Sequence, residues 1–179
     1  MDPLALAIGV VAVVVGVIAT QFRARKHIIP TFVVMSLCWS GHYAVLHQPV
    51  AAGVHAVTAV RLATAATFPN CWIAFGFMAG YVMLDAILWK SAWDILPVAA
   101  TVTSTAAVFW LDGISLRIGL TMTAVLFLTF NVLHAHSLPG ATFSIFMIGS
   151  NLVALARHHR HEILRSLGVT PETGRTNDE

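Results

Sequence analysis

Charged side chains are scarce in this chain. Of its 179 residues, only 10% are Asp, Glu, Lys or Arg, whereas soluble domains average about 25%. Apolar residues make up 58%, above the roughly 45–50% of a soluble domain. Too few polar side chains remain to cover a water-soluble globule, which excludes a soluble enzyme, a disordered chain and a nucleic-acid-binding protein. The sequence therefore predicts an all-α integral membrane protein with the lipid bilayer, not nucleic acid, as its partner.

Cysteine is also rare, with Cys38 and Cys71 alone in the sequence. Both lie in or at the start of apolar segments, where a thiol behaves as a small hydrophobic group. This disfavours a disulfide framework, and two cysteines without paired spacing give no zinc motif. A phosphate-binding loop and a nucleophile elbow are missing too. Any function must therefore sit within the helix bundle or at its ends.

Apolar segments long enough to cross a membrane fill most of the chain. A span needs about 20 apolar residues, and breaks rich in Pro, Gly and polar residues separate the segments. Because lipid offers no hydrogen-bond partners to the backbone, each segment must be helical. The seven predicted spans cover residues 3–22, 28–47, 51–68, 71–89, 94–111, 115–134 and 141–157. A six-span alternative stays open if segments around the breaks at residues 89–93 and 112–113 fuse or fail to cross.

Basic residues predict the orientation, because Lys and Arg are enriched on the cytoplasmic side of a membrane. With the N-terminus outside and the C-terminus inside, eight of the ten Lys and Arg residues fall inside, and Lys90 alone falls outside. The eight are Arg23, Arg25, Lys26, Arg117, Arg157, Arg160, Arg165 and Arg175. The sequence thus predicts one transmembrane bundle over residues 1–160 and a short cytoplasmic tail over residues 161–179.

Two stretches of the chain suggest an internal duplication. Residues 45–47 and 132–134 both read Val-Leu-His, and Gly53 and Gly140 follow them at the same spacing. If the match is a true repeat, residues 3–68 and 94–157 form two parallel three-helix units, and the helix at 71–89 links them. Such a 3+1+3 plan has its pseudo-twofold axis along the membrane normal, as in SWEET-type transporters. Chance similarity stays open because Leu and Val are common.

Arg61 is the most informative residue because it lies in the middle of a predicted span. An arginine there costs about 2.5–3.5 kcal/mol to insert, so it should face the bundle interior and be paired. Thr58 and Thr64 flank it at helical spacing, and Asn151 enters span 7 near the same depth. Two interpretations stay open. Arg61 and its neighbours could bind a solute near the midplane, or Arg61 could be a structural residue held by carbonyls and Asn151. The candidate solute-binding residues are Arg61, Thr58, Thr64, Asn151 and Asn131.

Histidines gather near the predicted outer ends of the spans, together with one carboxylate. The group comprises His42, His47, His55, His134, His136 and Asp85. Imidazole and carboxylate groups can bind a divalent metal, and histidine can relay protons because it titrates near neutral pH. The candidate ligands of a metal or haem are His42, His55, Asp85 and His134. The competing interpretation is that these rings anchor helix ends at the interface, since no pair shows the spacing of a known metal motif.

Short motifs in both halves of the chain are similar to those of a known family. Residues 40–46 read SGHYAVL and close one helix, and an Ala-rich helix carrying Arg61 follows. In the second half, Asn131 and Gly140 flank a turn, and residues 150–152 (SNL) precede Arg157. On these residues the chain resembles the YgjV-type bacterial inner-membrane proteins over about residues 5–160. The resemblance implies a small multi-pass protein of the bacterial inner membrane without a settled biochemical role.

Three functions stay open at this point. The favoured one is a small-solute transporter, because parallel three-helix units around a buried cation suit solute passage. This is an argument from fold analogy. A more distant likeness to PQ-loop transporters rests on the 3+1+3 plan alone, since their Pro-Gln pair is absent from spans 1 and 5. The alternatives are a metal- or haem-binding redox protein and a non-catalytic scaffold, so an enzyme is the less expected outcome. The sequence leaves the oligomeric state open.

Overall fold

The computed structural model describes residues 2–22, 25–67 and 71–166. Within these residues it contains seven α-helices and no strand, which confirms the all-α prediction. The helices are α1 (Pro3–Gln21), α2 (Arg25–Val45), α3 (Pro49–Thr67), α4 (Cys71–Leu88), α5 (Ile95–Trp110), α6 (Gly113–Leu133) and α7 (Leu138–Ser166). A short 3-10 helix, Ala92–Asp94, leads into α5.

Most helix ends lie close to the predicted ones, but α7 is longer than predicted. It continues to Ser166, whereas the predicted span ends at residue 157. No Pro or Gly interrupts residues 158–166, so nothing in this polar segment breaks the helix. The first part of the predicted tail is therefore helical, and its remainder, residues 167–179, lies outside the described residues.

Four of the described helices are long and apolar enough to cross a membrane. They are His27–Val45, Ala92–Trp110, Gly113–Leu133 and Leu138–Arg157. Pro3–Ala19 and Trp72–Leu88 are apolar but shorter, and α3 carries the polar residues His55 and Arg61. Large apolar side chains such as those of Ile87 and Ile145 are exposed on the bundle surface, as expected for residues that face lipid tails. The seven-span topology and its orientation stay predictions.

Six of the helices follow one another in a closed ring, and α4 packs beside it. In the first half, α2 contacts both α1 and α3, and in the second half, α6 contacts both α5 and α7. Contacts between α3 and α5 and between α1 and α7 close the ring. Helix α4 contacts α3 and α5. The ring therefore encloses a space between the two halves.

Helix α1 packs through a stripe of small residues, which lets its neighbours approach closely. The stripe comprises Ala5, Gly9, Ala12, Gly16 and Ala19, all of them buried. A Cβ atom at Gly9 would lie 2.8 Å from His42 Nδ1, so α2 could not sit this close if Gly9 carried a side chain. This close approach brings His42 within hydrogen-bond distance of the α1 backbone.

The turns after α2 and α6 share an uncommon backbone conformation. His47 and His136 have positive φ angles of 57° and 47°, a region that non-glycine residues seldom occupy. Backbone hydrogen bonds of 2.9–3.0 Å close each turn onto the helix that it leaves. Both turns return the chain sharply, so that α3 and α7 pack against the helices that precede them.

Candidate functional site

A cavity of about 390 Å³ lies inside the ring of helices. Side chains from α2, α3, α5, α6 and α7 line it, and most of them are apolar. Its aromatic lining residues are Phe32, Trp39, Tyr43, His55, Phe127 and Phe143. Its size falls in the range of pockets that hold small organic molecules.

Arg61 supplies the charged group in the cavity wall. Its side chain is only 6% exposed, and its Nη1 donates a hydrogen bond of 2.8 Å to Thr105 Oγ1. The Nε atom is buried without a hydrogen-bond partner, and no described carboxylate forms an ion pair with the guanidinium. A buried cation with an unused donor is incompletely compensated by the protein. The protein itself therefore leaves one donor of the Arg61 guanidinium unused.

Helix α5 orients the hydroxyl that Arg61 contacts. Thr105 donates its own proton to the Thr101 carbonyl at 2.7 Å, which leaves the lone pairs of its oxygen for the arginine. Thr101 lies one helical turn earlier and donates in the same way to backbone carbonyls of α5. These buried threonines thus present an acceptor, and not a charge, to the guanidinium.

Thr58 lines the cavity one helical turn before Arg61 and connects α3 to α4. Its hydroxyl donates to the Val54 carbonyl at 2.7 Å and lies 3.1 Å from the hydroxyl of Tyr81. Because the proton of Thr58 is used by Val54, the Tyr81 hydroxyl is the donor to Thr58. The ring of Tyr81 is fully buried between α3 and α5.

A polar network joins the two halves of the bundle near the α2–α3 and α6–α7 turns. Tyr43 donates to Asn131 Oδ1 at 2.8 Å, and Asn131 Nδ2 donates to the Phe127 carbonyl at 2.8 Å. Both Tyr43 and Asn131 line the cavity. A Cβ atom at Gly140 would collide with the Asn131 amide, so only glycine leaves room for this arrangement. The network thus forms the cavity wall at this end.

His42 forms the second link between the halves. Its Nδ1 lies 2.7 Å from the Ala5 carbonyl and its Nε2 lies 2.7 Å from Ser137 Oγ. Because a carbonyl only accepts, Nδ1 carries the proton and Nε2 accepts from the Ser137 hydroxyl. Ser137 Oγ in turn accepts from the Gly140 backbone N–H at 3.1 Å. Both ring nitrogens of His42 are therefore occupied by protein groups.

Comparison with known proteins places these features in a family. The sequence matches the Imp-YgjV family of bacterial inner membrane proteins over residues 3–162. The chain belongs to this family. It is accordingly a protein of the bacterial inner membrane, which confirms the resemblance derived from the sequence motifs. No curated protein and no solved structure matches the chain.

The region matched to the Imp-YgjV family contains the whole cavity and three of the predicted solute-binding residues within its wall. Arg61, Thr58 and Asn131 line the cavity, whereas Thr64 and Asn151 are not among its lining residues. Thr64 donates to the Val60 carbonyl at 2.8 Å. Asn151 does not meet Arg61, since its Oδ1 accepts a hydrogen bond from Arg117 Nη1 at 3.2 Å. The partner of Arg61 is Thr105 of helix α5.

The four candidate metal ligands do not form a single group in this Imp-YgjV protein, although His42 and His55 contact the same aromatic rings. His55 lines the cavity, and His134 stacks on Trp93 with ring centroids 6.3 Å apart. Asp85 lies on α4, beside the ring, and its Oδ1 has no hydrogen-bond partner. His42 has no free ring nitrogen. Within the part of the chain that the structure describes, no three His, Cys, Asp or Glu side chains are grouped so as to hold a metal ion.

Several residues of the site were not predicted from the sequence. Thr105 was missed, although it follows Thr101 by four residues on α5. This is about one helical turn, as is the three-residue spacing that separates Thr58 and Thr64 from Arg61 on α3. Trp39 and Tyr43 were missed as well, and both lie on one face of α2, four residues apart. Residues four positions apart lie on the same side of a helix, so this spacing could have indicated an aromatic wall. Helix α2 also carries the aromatic ring of His42.

Proposed function

We propose that this inner-membrane protein is a carrier of a small amphipathic anion. The acidic group of the solute lies on Arg61, and its apolar body lies against the aromatic wall of the cavity. The observation that carries the proposal is the buried Nε of Arg61, which has no hydrogen-bond partner although its side chain lines a cavity of ligand size.

The energetics favour an anion over a neutral solute. A charge-assisted hydrogen bond contributes about 1.5–3 kcal/mol, and a bound carboxylate would supply the acceptor that Arg61 lacks. This corresponds to a preference of about 10- to 100-fold over a neutral solute of the same shape. The apolar lining favours a solute that also buries hydrocarbon or aromatic surface, at about 25 cal/mol per Å². A small inorganic anion would leave most of the cavity unfilled.

The arrangement of the helices supports a carrier rather than a static binding protein. In the ring, α1–α3 and α5–α7 each follow one another and the cavity lies inside, an arrangement that the proposed 3+1+3 repeat would also produce. The Tyr43–Asn131 and His42–Ser137 hydrogen bonds join these halves at one end. In alternating access, the two units rock against each other around a central site. Breaking these bonds would open the cavity toward that end, which the proposed orientation makes the outer face.

Binding of an aromatic carboxylate tests the proposed site. The probe is 2-naphthoate, and 2-naphthylmethanol is its neutral counterpart of similar shape. Both are titrated against the purified protein in lipid nanodiscs, with empty nanodiscs subtracted because apolar probes partition into lipid. We expect naphthoate to bind at least about tenfold more tightly than the alcohol. Arg61→Gln should abolish that preference, whereas Lys90→Gln, which also removes one positive charge, should retain it.

Two results would contradict this assignment. One is equal affinity of the wild-type protein for the acid and the alcohol, and the other is an unchanged preference in Arg61→Gln. If Arg61→Gln unfolds, Leu62→Trp offers a second route, because Leu62 lines the cavity and a larger side chain should exclude the probe. Exchange of labelled naphthoate across proteoliposome membranes then tests transport itself. Binding of naphthoate without exchange would contradict the carrier function but not the assignment of the binding site.

A further inference from the structure

A second depression lies along α7, away from the central cavity. Its lining residues are Arg117 of α6 and Phe146, Gly149, Ser150, Val153, Ala154 and Arg157 of α7, and we refer to it as the α7 groove. Its volume is about 540 Å³. No lining residue is acidic, so the two arginines give the groove a positive charge.

The cationic part of the groove is held in place by a buried amide. Arg117 Nη1 donates to Asn151 Oδ1 at 3.2 Å, and the Asn151 side chain is only 1% exposed. The Nδ2 atom of the same amide is buried without a hydrogen-bond partner. Arg157 lies on α7 six residues after Asn151 and is exposed. One arginine is thus fixed by the protein and the other is free to approach a shared anion.

Apart from Ser150, the rest of the groove is apolar and runs along α7 toward Phe146. From Phe146 to Arg157 it extends about 16 Å at 1.5 Å per residue, which is close to half of the roughly 30 Å hydrocarbon core. Phe146 and Val153 are exposed apolar side chains along this length. Nothing lies within 4 Å of a Cβ atom placed at Gly149, so the middle of the groove is open.

We propose that the α7 groove binds one anionic phospholipid, with its phosphate between Arg117 and Arg157 and an acyl chain along Gly149 toward Phe146. The two ends of the groove match the two ends of a lipid, because arginines recognise phosphate and the exposed apolar residues face the tails. Basic pockets next to membrane helices bind the headgroups of anionic lipids in this way. The groove shares no lining residue with the central cavity, so the inference does not depend on the proposed transport function.

Lipid retention during purification tests the inference. The full-length protein in detergent is mixed with phosphatidylglycerol or with phosphatidylcholine carrying the same acyl chains, and bound lipid is counted by native mass spectrometry. We expect one tightly retained phosphatidylglycerol and no such site for phosphatidylcholine. Arg157→Gln should weaken retention about fivefold, and Arg117→Gln together with Arg157→Gln should weaken it about 25-fold. Lys90→Gln, the charge control, should leave retention unchanged.

The apolar half of the groove is tested without altering charge. Gly149→Leu fills the open middle of the groove and should weaken phosphatidylglycerol retention at least about fivefold, whereas Gly80→Leu, at another open glycine of α4, should not. Glycerol 3-phosphate, which has the headgroup chemistry without acyl chains, should fail to displace the lipid at equal concentration. Displacement by glycerol 3-phosphate would instead indicate a site for soluble phosphate and overturn the inference. Equal retention of the two lipids, or unchanged retention in Arg157→Gln, would also overturn it.

Discussion

Replacing Gly140 by alanine tests the network that joins the two halves of the bundle. A Cβ atom at this position would lie 2.6 Å from Asn131 Cγ and 2.8 Å from Asn131 Nδ2. Carbon atoms in comfortable contact are about 3.5–4.0 Å apart, so the amide must move by about 1 Å. It cannot do so freely, because its oxygen accepts from Tyr43 and its nitrogen donates to Phe127, both at 2.8 Å.

The expected cost of Gly140→Ala follows from these contacts. Overpacking a tight interior costs about 1–3 kcal/mol, and losing the Tyr43–Asn131 hydrogen bond adds about 1 kcal/mol. A loss of about 2–4 kcal/mol in the free energy of unfolding should lower the melting temperature by roughly 4–16 °C in a chain of this size. Circular dichroism at 222 nm in detergent measures the helix content as the protein unfolds.

A matched glycine and a double-mutant cycle make this prediction specific. Gly80 lies inside α4 with open space around its Cβ position, so Gly80→Ala should leave the melting temperature unchanged or raise it slightly. Asn131→Ala removes the amide with which a Cβ atom at position 140 would collide. Gly140→Ala should therefore cost far less stability in the Asn131→Ala variant than in the wild-type protein. The reasoning would be refuted if Gly140→Ala melted like Gly80→Ala, or if its cost were the same with and without Asn131.

Two further predictions concern the helix ends, and both are measured by the same unfolding experiment. Asp94 is buried and its Oδ2 accepts from the backbone N–H groups of residues 90 and 91 at 2.9 Å. Asp94→Ala should therefore destabilise the protein by about 1–2 kcal/mol. The control, Asp112→Ala, should cost less than about 0.5 kcal/mol, because Asp112 makes no capping hydrogen bond. Equal losses of stability in the two variants would contradict this prediction. His136→Gly should stabilise the protein by up to about 1 kcal/mol because it relieves a left-handed conformation. His134→Gly should give no gain, since its φ is −124°, and a gain there equal to that of His136→Gly would argue against the backbone explanation.

The positions of the helices could be predicted from the sequence because their signals are local. Apolar runs end at breaks such as Gln48-Pro49 and Asp112-Gly113, and the observed helices begin or end there. The last predicted span ends at residue 157, whereas helix α7 continues to Ser166. Charged residues end an apolar run but need not end a helix, so composition alone could not predict the helix boundary.

The partners of the interior polar groups could not be predicted in the same way. The cost of burying Arg61 indicates that something polar must meet it, and the structure places it against Thr105. Which helix supplies that partner depends on the contact between α3 and α5, and no local pattern encodes that contact. Similarly, the sequence gives no sign that both nitrogens of His42 are occupied by Ala5 and Ser137, which leaves this ring without a free position for a metal.

The place of α4 beside the ring separates the helices that line the cavity from a helix that only packs against them. Among the described residues, none of its side chains lines the interior space, and it reaches that space only indirectly, where Tyr81 touches Thr58. Substitutions on the surface of α4 that faces away from α3 and α5 should therefore leave the shape and polarity of the cavity wall unchanged.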